Sequence, residues 1–281
     1  MALSDSAPRT ADFQTGGLQD LSAGRLRRAL RAVRDIGPAA LFSLIRRHGV
    51  RGSADFVARN LRHIVAHRLA LQWDRRHGVD TAGSIQLQTL TIAGPNSKLG
   101  NECVCTSPKS FDFMMRSLPR SLAGYTFVDV GAGKSRTLLL ASRYDFAKIV
   151  GVEFAKELVD CSKRNIARFT ADWQRCRALS IVEADATGFT FPDTPLVIFF
   201  YNPFTREVFD AVLGNIVASL NAMPRDCFIV YGSSSHNAID WAKPAILATG
   251  CFAQVPAGAM PFYFDAVRAV RFAVFRAITP A

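Results

Sequence analysis

Four short clusters in this chain combine residue types that hold or orient a polar ligand. They are Asp129 with the turn Gly131-Ala132-Gly133, the carboxylate of Glu153, the pair Asp185-Ala186, and Tyr201-Asn202-Pro203-Phe204. Glycines let a backbone approach a ligand closely, and a helix that follows them offers free N–H groups and the positive end of its dipole. The turn therefore suits a polar or anionic group. Glu153 stands 22 residues after Gly131, a spacing at which a carboxylate accepts from the hydroxyls of a ribose. Asp185 closes the next apolar segment in E-A-D-A-T, where its side chain can accept from an adenine amino group. Either carboxylate alone also reads as a helix cap; what sets them apart is that three such features fall at successive strand ends.

Three ligands compete for the glycine turn. A phosphate loop, G-x-x-x-x-G-K-[ST], needs glycine five residues before Gly133, and that position is Val128. A dinucleotide site, G-x-G-x-x-G, needs a third glycine so that helix and strand pack closely, and that position is Arg136. S-adenosylmethionine has no pyrophosphate, so a single G-x-G turn suffices for its amino-acid part. The turn as written tolerates this reading best.

The elements that must position these residues follow from hydrophobic periodicity. Strands are expected at 126–130, 148–153, 179–183, 195–201 and 226–231, with helices near 134–143, 155–169, 205–221 and 237–249 between them. Two further apolar segments, 252–255 and 267–275, read as an antiparallel pair at a sheet edge. The fold class is α/β: a doubly wound, seven-stranded, mostly parallel sheet with a terminal antiparallel hairpin, preceded by an N-terminal helical segment. Tyr201-Asn202-Pro203-Phe204 then follows the fourth strand at the carboxyl edge, where open α/β sheets bind ligands.

Taken together, VDVGAGK, VGVE, EADAT and FYNPF resemble the class I, Rossmann-type S-adenosylmethionine-dependent methyltransferases over roughly Lys109–Arg276. The segments FVDVGAGKSRTLLLAS, GVEFAKELVDCSKRNI and YNPF are similar to a bacterial group of undefined substrate, some of whose members are likened to non-SET histone lysine methyltransferases. The resemblance implies that Asp129, Gly131, Ala132 and Gly133 hold the methionine part. It assigns Glu153 to the ribose, Asp185 and Ala186 to the adenine, and Phe154 to the cofactor site. Asn202 matches the first position of the [DNS]-P-P-[YFW] motif of amino-group methyltransferases, with one proline where the motif has two. Asn202 and Tyr201 are then the expected catalytic pair, Asn202 also faces the cofactor, and Asn202, Pro203 and Phe204 contact the acceptor. The implied activity is methyl transfer to an amino-type nitrogen, a protein lysine among the candidates, with small molecules and nucleic acid as other acceptor classes. Two rivals are weighed: a non-catalytic member of the fold that binds through its basic N-terminal helices, and an NAD-dependent oxidoreductase, which Arg136 and the lack of a Tyr-x-x-x-Lys pair disfavour.

The rest of the 281-residue chain sets limits. It is 49% hydrophobic and 20% charged, enough for a substantial core, and its longest apolar runs fall far short of a bilayer span. The start, MALSDSAPRTADF, lacks the pattern of a secretory signal, so a cytoplasmic address is expected. Residues 1–20 read as a flexible lead-in, 21–108 as a basic helical segment and arm, and 109–281 as the ligand-binding domain. Residues 1–80 hold 14 Lys plus Arg against 7 Asp plus Glu, most of the +11 net charge. That suits an anionic partner, or a solvated basic face as in Gly24–Asp35. His63 and His67 have metal-compatible i, i+4 spacing, but no third ligand is in view and no metal is expected. The six cysteines contain no CxxC; Cys103 and Cys105 read as small loop residues, and Thr106 and Ser107 as weak ligand-contact candidates.

Overall fold

A computed structural model describes residues 46, 64–85, 90, 99–101, 103–234, 238–261 and 270–278. Expectations for the lead-in, the helices before residue 64 and His63 lie outside these residues. Helix α1 occupies 64–77 and ends at Gly78, whose φ of 65° favours glycine at a helix C-terminus. A two-residue strand β1 (Ser84–Ile85) pairs antiparallel with β2 (Cys103–Val104). Cys103 was expected in a loop; pairing with a distant segment makes it a strand, and local pattern carries no record of that partner. Helix α2 (Pro108–Met115) starts with proline after Ser107, whose hydroxyl accepts from Ser110 N at 3.1 Å.

The main sheet is built from β3 (Thr126–Val130), β4 (Lys148–Glu153), β5 (Leu179–Glu183), β6 (Leu196–Tyr201), β7 (Cys227–Ser233), β8 (Phe252–Val255) and β9 (Arg271–Ala277). Their order is β5-β4-β3-β6-β7-β9-β8, with β9 antiparallel to both neighbours and the others parallel. This is the expected seven-stranded sheet with its closing hairpin. The central strands read as continuous apolar runs because both faces are covered. On one face Val128, Ile198, Phe200, Ile229 and Tyr231 pack with Phe209 and Ile216 of α5 (Arg206–Ala222) and Ile246 of α6 (Ala238–Ala248). On the other, Phe127, Val197, Phe199 and Val230 pack with Phe111 and Met114 of α2 and Leu138 of α3 (Arg136–Ala141).

Strand order runs outward from β3 in both directions: β4 and β5 lie to one side, β6 and β7 to the other. The crevice at such a reversal is where this class of sheet places its ligand. The glycine turn follows β3, the Tyr201–Phe204 loop follows β6, and α4 (Lys156–Arg168) descends from the end of β4.

Candidate functional site

A cleft opens at this crevice. Asp129, Gly131, Ala132, Gly133, Glu153, Phe154, Asp185, Ala186, Tyr201, Pro203 and Phe204 all line it. The structure therefore brings together the candidates named from sequence except Asn202 and Ser107, which are not part of the lining. Thr106 lines it as well, whereas Ser107 caps α2.

The turn is fixed by its neighbours. Gly131 N and Ala132 N donate to Val152 O at 2.9 and 3.0 Å, and Ser162 Oγ donates to Gly133 O at 2.8 Å. Gly131 has φ 83° and Gly133 φ 56°, backbone that L side chains rarely adopt. A Cβ at Gly131 would stand 2.4 Å from Pro203 Cβ, and one at Gly133 would stand 2.5 Å from Cys103 Sγ. Any side chain at either glycine would fill the cradle between the turn and the opposite wall.

Three carboxylates face the cleft in different states. Asp129 is buried and accepts from the Thr137 hydroxyl. Burial pushes its carboxyl up to about 7, the Thr137 hydrogen bond opposes the shift, and the Glu153 charge adds to it. Glu153 is buried as well: Oε2 accepts from Gly133 N at 2.8 Å, and Oε1 accepts from Phe154 N and Ala155 N at 3.0 Å each. Burial raises its pKa, against those three hydrogen bonds. A carboxylate offers about four acceptor positions, so Glu153 has roughly one left for a ligand hydroxyl. Asp185 Oδ1 accepts from Thr187 N and Thr187 Oγ1 at 2.9 and 2.8 Å, capping a short 3-10 turn, Ala186–Gly188. Capping and facing the cleft are thus combined in Asp185, whereas Glu153 bridges the glycine turn and the residues just before α4.

The Tyr201–Phe204 loop is held from behind. Asn202 sits at φ 49°, a conformation that asparagine tolerates better than most residues, and its Oδ1 accepts from the buried Tyr231 hydroxyl at 3.3 Å. Gly100 pairs with Phe204, Asn101 N donates to Pro203 O at 2.8 Å, and Thr205 N donates to Leu99 O at 2.8 Å. Asn101 Nδ2 also donates to Asn202 O and Phe204 O at 3.0 and 3.2 Å.

Sequence reasoning expected an arm within 21–108 but, Thr106 apart, did not assign its residues to the site; they form the opposite wall. Thr81, Gly100, Asn101, Cys103, Val104 and Cys105 line the cleft beside the expected residues. Arg136, read from sequence as an obstacle to helix packing, instead anchors the arm. Its Nη2 lies 2.9 Å from Asp74 Oδ1, its Nε donates to Thr81 Oγ1, and its guanidinium stacks over Trp73 at 4.3 Å. Lys134 Nζ donates to Asp80 Oδ1 at 2.8 Å and to Ala82 O at 2.5 Å. Two cations next to a glycine turn, with no phosphate-loop pattern to use them, were the available signal that counterions must lie elsewhere in the chain. Among the described residues no group of three or more His, Cys, Asp or Glu is placed to hold a metal, and no helix is long and apolar enough to cross a membrane.

No family model and no curated protein matches this chain in sequence. Solved structures similar to it include a precorrin-6y C5,15-methyltransferase from Geobacter metallireducens, at TM-score 0.45 and 15% identity, covering 70% of this chain and 97% of that one. TrmN from Thermus thermophilus matches at TM-score 0.45 and 14% identity, over 62% of this chain and 49% of that one. A mycolic acid cyclopropane synthase matches at TM-score 0.36 and 21% identity, and the chain spans 44% of that synthase's length.

Proposed function

We propose that this chain is an S-adenosylmethionine-dependent methyltransferase. The observation that carries the reading is the set of three carboxylates, Asp129, Glu153 and Asp185, converging on a cleft whose glycine turn has both of its cations, Lys134 and Arg136, already paired with the arm. Such a lining favours a cationic adenosyl ligand over a pyrophosphate, which would call for unpaired cations. When bound, S-adenosylmethionine supplies a sulfonium-activated methyl group.

Asp129, buried and poised near neutrality, receives the cationic amino end of the ligand. Glu153 uses its remaining acceptor position for a ribose hydroxyl, and Asp185 with Ala186 borders the adenine. Phe154 and Phe204 supply apolar wall, and Cys103 with Val104 covers the turn, so the residues around the methyl group exclude water. Alignment of acceptor and donor supplies most of the rate, on the order of several kcal/mol, and no strong general base is required.

For the acceptor we favour an amino-type nitrogen, a protein lysine among the candidates, presented near Tyr201 and Asn202. Support comes from the Asn202-Pro203-Phe204 segment at the carboxyl end of β6. Titration calorimetry with S-adenosylmethionine and with its demethylated product tests the cofactor. Micromolar binding to the wild type and at least tenfold weaker binding to Glu153→Ala are expected; heat from neither ligand would refute the reading.

A further inference from the structure

Lys134 and Arg136 follow the glycine turn directly, line the cleft, and are each more than nine-tenths buried. Cations in this place suit a phosphate. Left uncompensated, they would disfavour a ligand whose reacting atom is a sulfonium, because like charges sharing a partly desolvated cleft repel.

The arm removes the conflict. Asp74 is buried and accepts from Thr81 N at 2.7 Å, Thr81 Oγ1 at 2.7 Å and Ala82 N at 2.5 Å, as well as from Arg136 Nη2. Asp80 accepts from Lys134, and its backbone is clasped from both sides by one amide: Asp80 N donates to Asn165 Oδ1 and Asn165 Nδ2 donates to Asp80 O, each at 2.8 Å. Asn165 Nδ2 also donates to Lys134 O at 2.9 Å, so arm and turn share a single fixed partner. Each cation thus has its own aspartate, held in place by bonds independent of the ion pair.

We propose that Asp80 and Asp74 are specificity residues for the methyl donor: by neutralising Lys134 and Arg136 they remove the penalty those cations would place on the sulfonium of S-adenosylmethionine relative to the uncharged thioether of its product. The inference rests on the cofactor reading above. Donor and product share the same carboxylate, ammonium, ribose and adenine and differ in one methyl group and the charge it puts on sulfur, and of these two only the charge responds to a substitution at Asp80. Their affinity ratio therefore isolates the electrostatic role from any general loosening of the site.

Asp80 is the safer handle, because its side chain is 56% exposed while Asp74 is buried. The experiment measures dissociation constants of S-adenosylmethionine and S-adenosylhomocysteine by calorimetry for the wild type, Asp80→Asn and Asp80→Asn/Lys134→Met. One unpaired charge near the sulfonium is expected to weaken the donor about fivefold and the product less than twofold. Removing the cation in the double variant should bring the ratio back toward wild type, and raising the salt concentration should shrink the difference. An equal change for both ligands, or no change for either, would overturn the assignment. Failure of the wild type to bind either ligand would instead refute the cofactor reading, so the two outcomes stay distinct.

Discussion

Asn101 N donates to Pro203 O at 2.8 Å, and that carbonyl belongs to the loop that an amine acceptor would have to reach. The side-chain oxygen of Asn202 is likewise engaged, accepting from Tyr231. Both acceptors that an amine clamp uses, the amide oxygen and the neighbouring carbonyl, are therefore met by donors from the chain itself. The arm holds the loop in register, and each of these oxygens keeps one acceptor position for an amine.

Replacing Asn101 by alanine removes its two side-chain hydrogen bonds to Asn202 O and Phe204 O. The expected cost is about 1–2 kcal/mol of local stability. Hydrogen exchange should register it first at Thr205 and Asn101, whose N–H groups cross between arm and loop. Exchange there should quicken roughly tenfold, while Ile198 and Ile229 in the central strands stay protected. Equal protection at Thr205 in both proteins would mean that backbone pairing alone holds the arm.

Asp129 predicts a pH dependence with a definite sign. Burial raises its folded pKa from the ordinary 3.8 to about 7, so between those two values the folded protein holds a proton that the unfolded chain has lost. The contribution of this group to stability is full below the unfolded value and is lost as pH rises through about 7. A cationic ligand end favours the ionised form, so binding releases the proton. Affinity for S-adenosylmethionine should fall by up to about tenfold per pH unit below 7, and Asp129→Asn should flatten the profile. Calorimetry in buffers of different ionisation enthalpy measures the released proton directly.

The main sheet was legible because its cues are local. Apolar runs bounded by Gly131-Ala132-Gly133, Glu153 and Asp185 marked the strands and a shared sheet edge, and the seven strands of the main sheet fall within two residues of their expected positions, apart from the start of β9 at Arg271. The arm was not legible for the opposite reason. Strands β1 and β2 are two residues each and depend on one another, while Asp74, Asp80 and Asn101 act on partners 62, 54 and more than 100 positions away. Asn202 shows a further limit, since a motif names a residue but not its rotamer: the amide that sequence directed toward an acceptor is the partner of Tyr231.

Arg136 offers a test of how firmly the arm is anchored. Its guanidinium meets Asp74, Thr81 and the face of Trp73 together, a geometry that a lysine ammonium cannot reproduce. Breaking a buried pair leaves the partner carboxylate uncompensated and costs about 3–5 kcal/mol. Arg136→Leu should therefore lose about that much in urea unfolding, and Arg136→Lys about half. In Asp74→Asn/Arg136→Leu the second substitution should cost far less than it does alone. Additive losses would mean that the two side chains are not coupled.

Cys103 stands beside Gly133 and Glu153 in the cleft. Burial pushes its thiol up to about 12, and the Glu153 carboxylate adds to the shift. The thiolate is the nucleophilic form, so at pH 8 this side chain should react with iodoacetamide roughly three orders of magnitude more slowly than an ordinary cysteine. The proposed chemistry gives that inertness a consequence, because a thiolate facing a methyl donor would take the methyl group itself. Peptide mass spectrometry after timed alkylation at pH 8 should find Cys103 largely unmodified while the unfolded protein reacts fully at the same site. Substituting Glu153 by glutamine removes one cause of the shift and should speed labelling of Cys103. If Cys103 in the folded wild type labels as fast as in the unfolded chain, the arm does not close over the turn in solution.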